Sequence, residues 1–184
     1  GGAETGVYKM SYEDIDSPQN WEHITEPTQV NSPMVMTCSR SHHSGPVLSF
    51  INELKQISPT IEFAKKGSSL KFFDLASGAA DAYPRFAPTM EWDIAAGQAI
   101  LEALGGSVCN VQTGLPLSYN KEDLTNPYFI AKTKPLLQLL VKSVSKIDPN
   151  PWSKYWPKPW FRMSDWRNQP RGRTCETQIR KRAP

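Results

Sequence analysis

The string Glu91-Trp92-Asp93-Ile94-Ala95-Ala96-Gly97-Gln98-Ala99 carries the most specific chemistry in the chain. Asp93 stands where an apolar helical pattern begins. A carboxylate at a helix N-terminus is kept ionised by the free N–H groups and the dipole of the first turn. The small residues Ala95, Ala96 and Gly97 let a neighbouring element approach that turn closely. An ionised carboxylate held rigidly in this way suits a hard cation such as magnesium. The same placement suits a plain helix cap, for which Asp is among the preferred residues. Ser68 and Lys71 form a Ser-x-x-Lys pair, which on local grounds reads as a helix cap and an exposed helix lysine. That spacing also occurs in acyl-serine hydrolases, but their chemistry needs Ser-Asp-Asn and Lys-Thr-Gly partner strings, and neither occurs here. His42 and His43 lie in the polar turn from Ser39 to Gly45, a composition of solvated loops, and Arg85 reads locally as an outward strand residue.

Several elements must position these residues. A short strand is predicted around Gly6–Met10, followed by a polar, Pro-bearing loop. Met34–Cys38 has the length and apolar character of a buried strand. After the Ser39–Gly45 turn a helix is predicted, with Ser44 as cap, Pro46 in its first turn, and Val47, Leu48, Ile51 and Leu54 as one apolar stripe. Thr60–Ala64 is a second strand. A second helix starts at Ser68-Ser69 and is expected to bury Leu70, Phe73 and Ser77. Asp81–Phe86 alternates Asp81, Tyr83 and Arg85 on one face with Ala82, Pro84 and Phe86 on the other, and Pro84 suggests an edge strand. The clearest helix is Ile94–Leu104, with Ala96, Ile100 and Leu104 at spacing four and Gly105-Gly106 ending it. A hairpin of Val108–Val111 with Leu117–Tyr119 is expected next, then a helix over Leu136–Val144. Strands alternating with helices imply an α/β layer domain, here residues 1–134. Residues 135–184 read as a basic, Trp/Pro/Arg-rich extension that is expected to be poorly ordered.

Composition narrows the function classes. The chain has 184 residues, 39% of them hydrophobic, enough for one domain with its own core. No apolar run reaches the roughly 20 residues of a membrane span, and the first residues have neither the basic nor the apolar region of a signal peptide. Absence of an initiator Met makes the chain read as a fragment. Its three cysteines, Cys38, Cys109 and Cys175, are far apart with no C-x-x-C pair, which points away from a disulfide framework or zinc site and toward a reducing cytoplasm. The net charge of +3 hides an asymmetry: from Lys142 onward 11 Lys/Arg face 3 acidic residues, leaving the body at −5. Trp152, Trp156, Trp160 and Trp166 sit among Lys154, Lys158, Arg162 and Arg167 in that tail. Such interleaving can stack on bases or sit at a membrane interface, but Pro157 and Pro159 break any helix that would align the four rings, and no nucleic acid is expected.

Five strings in order carry a resemblance to a known family. Trp92-Asp93-x-Ala95-Ala96-Gly97, with its apolar helix and Gly105-Gly106, resembles the second signature of the inositol-monophosphatase-like, lithium-sensitive phosphatases. Ser39-Arg40-Ser41-His42, Gly67-Ser68-Ser69-Leu70-Lys71, Tyr83-Pro84-Arg85-Phe86-Ala87-Pro88-Thr89, and Tyr119-Asn120-Lys121-Glu122-Asp123-Leu124 with Asn126-Pro127 resemble its 3'(2'),5'-bisphosphate nucleotidase branch. The resemblance implies the C-terminal domain of an αβαβα fold, a mixed sheet flanked by helices. It implies Mg2+ as cofactor, a small bisphosphorylated nucleotide as ligand, and hydrolysis of 3'-phosphoadenosine 5'-phosphate to AMP and phosphate. Asp93 then corresponds to a magnesium-binding aspartate, His42 to a residue that meets the nucleotide, Ser68, Lys71 and Arg85 to phosphate holders, and Tyr83 to a neighbour of the adenine. Lys and Arg are the clamps a ligand of about four negative charges calls for. The family's acidic Glu-Glu helix and Asp-x-x-Asp-Gly-Thr loop, which supply most metal ligands, have no counterpart here. The chain alone is therefore expected to have little or no activity, with the N-terminal half of the domain as its absent partner. An inositol phosphate phosphatase and a non-catalytic nucleotide-binding or interaction module are the alternatives.

Overall fold

The computed structural model describes residues 4–38 and 46–144. Two short strands, β1 (Val7–Lys9) and β2 (Glu22–Ile24), pair antiparallel as a separate ribbon. The main unit then runs β3 (Met34–Cys38), α1 (Pro46–Lys55), β4 (Ile61–Lys65), α2 (Leu70–Ala76), β5 (Ala82–Arg85), α3 (Glu91–Ala103), β6 (Ser107–Asn110), β7 (Phe129–Lys132) and α4 (Lys134–Val144). Its five strands lie in the order β4-β3-β5-β7-β6. β3 is parallel to both β4 and β5, whereas β7 runs antiparallel to β5 and β6. The sheet is mixed and has helices on both faces, the expected α/β architecture.

Strand alternation decides which side chain meets which helix layer. Met34, Met36, Ala82 and Ile130 face α1 and α4, packing with Val47, Phe50, Ile51, Leu54 and Leu136. Tyr83, Val108, Phe129 and Ala131 face the other way, packing with Phe72, Leu75, Ile94 and Leu101 of α2 and α3. Leu136 is fully buried in the first core, so α4 packs with the sheet rather than with the extension expected to begin at residue 135. The four Trp of that tail lie outside the described residues.

The apolar faces differ from expectation in several places. On α2 the buried residues are Lys71, Phe72, Leu75 and Ala76, while Leu70 and Phe73 are each 55% exposed and Ser77 is exposed. Packing against Gly97 of α3 selects the Phe72 side, because that glycine alone admits the ring. Leu48 is exposed on α1, and Phe50 takes the core position. On α3 Ala96 is exposed, and Ile94, Gly97, Gln98 and Leu101 form the buried side. β5 is central rather than an edge strand. Its pairing with β3 is the single pair Met36↔Ala82, so the chain has left that ladder before Pro84. β6 pairs with Phe129–Lys132 and not with Leu117–Tyr119; the nearer segment contributes only the bridge Cys109↔Pro116.

A buried carboxylate ties the start of β3 to the start of β5. Asp81, 1% exposed, accepts hydrogen bonds from the Asn31 backbone N–H (3.0 Å), Asn31 Nδ2 (3.1 Å) and the Val35 N–H (2.7 Å).

Candidate anion and metal site

Ligands of open α/β sheets bind beyond the C-terminal ends of parallel strands. Here β3, β4 and β5 end at Cys38, Lys65 and Arg85, and α2 and α3 start from the loops that follow β4 and β5. Tyr83 and Arg85 share strand parity, which turns both toward the α2–α3 layer. Lys71, on the first turn of α2, comes to the same place.

Lys71 is the centre of the arrangement. It is only 2% exposed, its ammonium donates to the Ser68 carbonyl (3.1 Å), and its Nζ lies 5.1 Å from the centroid of the Tyr83 ring. Burial, and next the Arg85 guanidinium, push its pKa below the usual lysine value; Cys38 and Asp74 oppose them more weakly. Among the described residues it has no carboxylate ion-pair partner. Arg85 is fixed on its own turn, Nε donating to the Ala87 carbonyl (3.2 Å) and Nη2 to the Pro88 carbonyl (3.1 Å). Two cations held this close, one of them buried, make a site whose natural complement is an anion.

Tyr83 links these charges. Burial raises the pKa of its hydroxyl, while Arg85 lowers it and Asp93 raises it. Arg85 and Asp93 therefore both reach this ring electrostatically. The ring packs edge-on against Phe72 (5.6 Å, 84°) and Phe129 (5.6 Å, 88°) and is 4% exposed. With its rim in the core and the Lys71 ammonium over its face, it has no open face for an adenine. It supports the cation instead.

Asp93 is the third residue of α3, not the residue before it. Its Oδ2 accepts the Met90 N–H (2.8 Å), which satisfies one of the free donors of the helix start. The carboxylate is exposed. Ser68 lies two residues before α2 in the left-handed region (φ 46°), exposed, and presents its carbonyl to Lys71. His42 falls outside the described residues.

Sequence reasoning assigned no role to the clasp on α3. Glu91, nearly buried, is bonded by the Lys121 ammonium and by the backbone N–H groups of Asn120 (2.7 Å) and Lys121 (3.3 Å). The Lys121 bond, foremost among these contacts, keeps its carboxyl below the usual range. Asn126 Nδ2 donates to the Met90 carbonyl (2.7 Å), and Tyr119 donates its hydroxyl to Gln98 Oε1 (2.7 Å). The matching string 119–127 thus holds the helix end that presents Asp93. Its signal was visible as Glu91 beside Trp92-Asp93, without a partner to read it against.

A magnesium ion takes about six oxygen ligands in near-octahedral geometry. Among the described residues no group of three or more His, Cys, Asp or Glu side chains could hold a metal. Asp93 offers a single carboxylate, and Asp74 is engaged by Lys66 (3.8 Å) and Thr37 Oγ1 (3.5 Å). The residues described here do not make a complete metal site. No helix among them is long and apolar enough to cross a membrane.

Comparison with known proteins agrees with this geometry. The sequence model of the inositol monophosphatase family matches residues 17–148. The 3'(2'),5'-bisphosphate nucleotidase CysQ of Escherichia coli K12 is 41% identical over 98 residues, covering 53% of this chain and 38% of that protein. An uncharacterized protein in the pss 5' region of Rhizobium leguminosarum bv. phaseoli is 55% identical over 71 residues, covering 35% of this chain and 74% of that one. Among solved structures, CysQ from Bacteroides thetaiotaomicron superposes with a TM-score of 0.57 at 39% identity, covering 71% of this chain and 51% of that one. Inositol monophosphate-bound IMPase-II of Staphylococcus aureus (TM-score 0.52, 17% identity, 73% of this chain and 48% of that one) shares the fold. The chain spans about half the length of these solved relatives and less than half of the Escherichia coli protein. With a match that runs over most of its length, and a sheet and helix layers that superpose on a solved relative, this chain belongs to the inositol monophosphatase family.

Proposed function

We propose that this chain is the substrate-binding portion of a magnesium-dependent 3'(2'),5'-bisphosphate nucleotidase, whose complete form hydrolyses 3'-phosphoadenosine 5'-phosphate to AMP and phosphate in a reducing cytoplasm. The observation that carries this reading is the buried Lys71 ammonium beside Arg85, with no carboxylate paired to it among the described residues. A phosphate group supplies the missing negative charge, and the planar Arg fork binds phosphate bidentately. Ser68 stands at the mouth of that site. Asp93 contributes one oxygen ligand toward magnesium, and His42 meets the nucleotide. Identity of 41% to the Escherichia coli nucleotidase over 98 residues supports the nucleotide as substrate. The free thiols Cys38 and Cys109 support the compartment.

Because one carboxylate is far from a full metal ligand set, the isolated chain is expected to bind the nucleotide without turning it over. Calorimetry with 3'-phosphoadenosine 5'-phosphate tests the first part. Loss of one charge-assisted contact costs about 1.5–3 kcal/mol, so Lys71→Met and Arg85→Ala should each weaken binding by about one to two orders of magnitude. Affinity indifferent to both substitutions defeats the assignment. A magnesium-dependent phosphate-release assay tests the second part, and robust turnover by the purified chain defeats it.

A further inference from the structure

The outer side of the α2–α3 layer is only partly covered. Leu70, Phe73 and Ala76 recur at spacing three along one side of α2, and Trp92, Ala96, Ile100 and Ala103 recur along one side of α3. The β1–β2 ribbon sits on one end of these stripes: Val7 is buried with Ala76 and Leu104, and Ile24, Ile100 and Ala103 pack beside them. The other end is bare. Leu70 and Phe73 are 55% exposed and Trp92 is 65% exposed, with Ala96 also exposed between Trp92 and the ribbon. Three large apolar side chains on adjoining helices exceed the scattered exposure of an ordinary surface. The ribbon itself is two strands of three residues, below what is stable alone, and its outer edges carry unpaired backbone groups that invite another strand.

We propose that the bare end of the α2–α3 layer, together with an edge of the β1–β2 ribbon, is a docking surface for a strand-forming polypeptide that widens the ribbon into a sheet over Leu70, Phe73 and Trp92. The occupant is the portion of an inositol monophosphatase family domain that this chain does not span, since the chain accounts for 51% of the Bacteroides CysQ structure. Strand addition supplies main-chain hydrogen bonds, and alternate apolar side chains of the added strands face the helices. The bare end is also where Asp93 is exposed, so the added layer meets the lone carboxylate.

The test mixes the full 184-residue chain with the half of Bacteroides CysQ left outside the superposition, and also joins the two in one polypeptide. Sedimentation should give a 1:1 complex. Hydrogen exchange should slow at 7–9 or 22–24 and at 70–73 and 92–96, in the complex and in the fusion. Phe73→Gln and Trp92→Gln, both at exposed positions, should each weaken the complex at least tenfold while the circular dichroism of the chain stays unchanged. The proposal is overturned if the fusion leaves exchange at those segments as fast as in the chain alone, or if protection appears elsewhere. It is equally overturned if the chain buries these residues against a second copy of itself.

Discussion

Gly97→Ala pits two opposing effects against each other, and the sign of the outcome decides between them. Gly97 lies inside α3, where replacing glycine by alanine ordinarily stabilises by about 1 kcal/mol. An alanine methyl here would stand 2.5 Å from Cγ and Cδ2 of Phe72 and 2.9 Å from its Cβ. Carbon atoms in contact prefer about 3.5–4.0 Å, so the deficit is roughly 1 Å. Rotating the Phe72 ring relieves the first two contacts. The third involves an atom fixed to the backbone of α2, so the helix itself must move. Phe72 is 1% exposed and edge-packed on Tyr83, which leaves it little room. Overpacking of this kind costs about 1–3 kcal/mol. The upper part of that range applies because backbone is involved, and the net is a loss of about 1–2 kcal/mol. Urea unfolding measures it as a lowered midpoint at unchanged slope. Ala99→Gly, exposed on the same helix, reports propensity alone and should lose about 1 kcal/mol. Pushing α2 from α3 also parts Lys71 from Asp93, so nucleotide affinity should fall together with stability. A Gly97→Ala chain that is more stable than the parent, with affinity intact, refutes the close approach of the two helices.

Two further outcomes follow from buried charges. Asp81→Ala strands the Asn31 and Val35 donors inside the fold; the loss should be about 3 kcal/mol, read by chemical denaturation, and a loss under about 1 kcal/mol counts against the clamp. Lys71 has a folded pKa below its usual 10.5, so between the folded value and 10.5 the unfolded chain binds more protons and stability rises with pH. Lys71→Met should remove that rise. Urea midpoints followed through the alkaline range should climb more steeply for the parent than for the variant, and parallel profiles contradict the burial of the ammonium.

Much of this organisation is readable from residues, and the failures have physical causes. Met34–Cys38 and the α3 string are legible because each satisfies its local rule without help. The buried face of α2 is not. Leu70 and Phe73 form the better apolar stripe by sequence, yet Lys71 and Phe72 are inside, because Gly97 accepts the Phe72 ring and the strand ends need a cation. β5 looks like an edge through Pro84, and only the divergence from β3 beyond Ala82 makes a central proline tolerable. The partner of β6 lies beyond the Thr113–Pro116 turn, at Phe129, since that turn leads into the clasp on α3 rather than directly back. In the site, Asp93, Lys71 and Arg85 were legible as charges with motif spacing. Tyr83 was misassigned because alternation alone does not reveal that Phe72 and Phe129 close around it.

The tethering of the two cations has a thermodynamic consequence. Lys71 leans on the Ser68 carbonyl and the Tyr83 ring, and Arg85 is bonded to two carbonyls of its own turn. Long basic side chains ordinarily surrender about 0.5–1.5 kcal/mol of rotamer freedom each when a ligand fixes them. Here the fold has already restricted them, so an incoming phosphate meets a receptor whose ordering cost was met during folding.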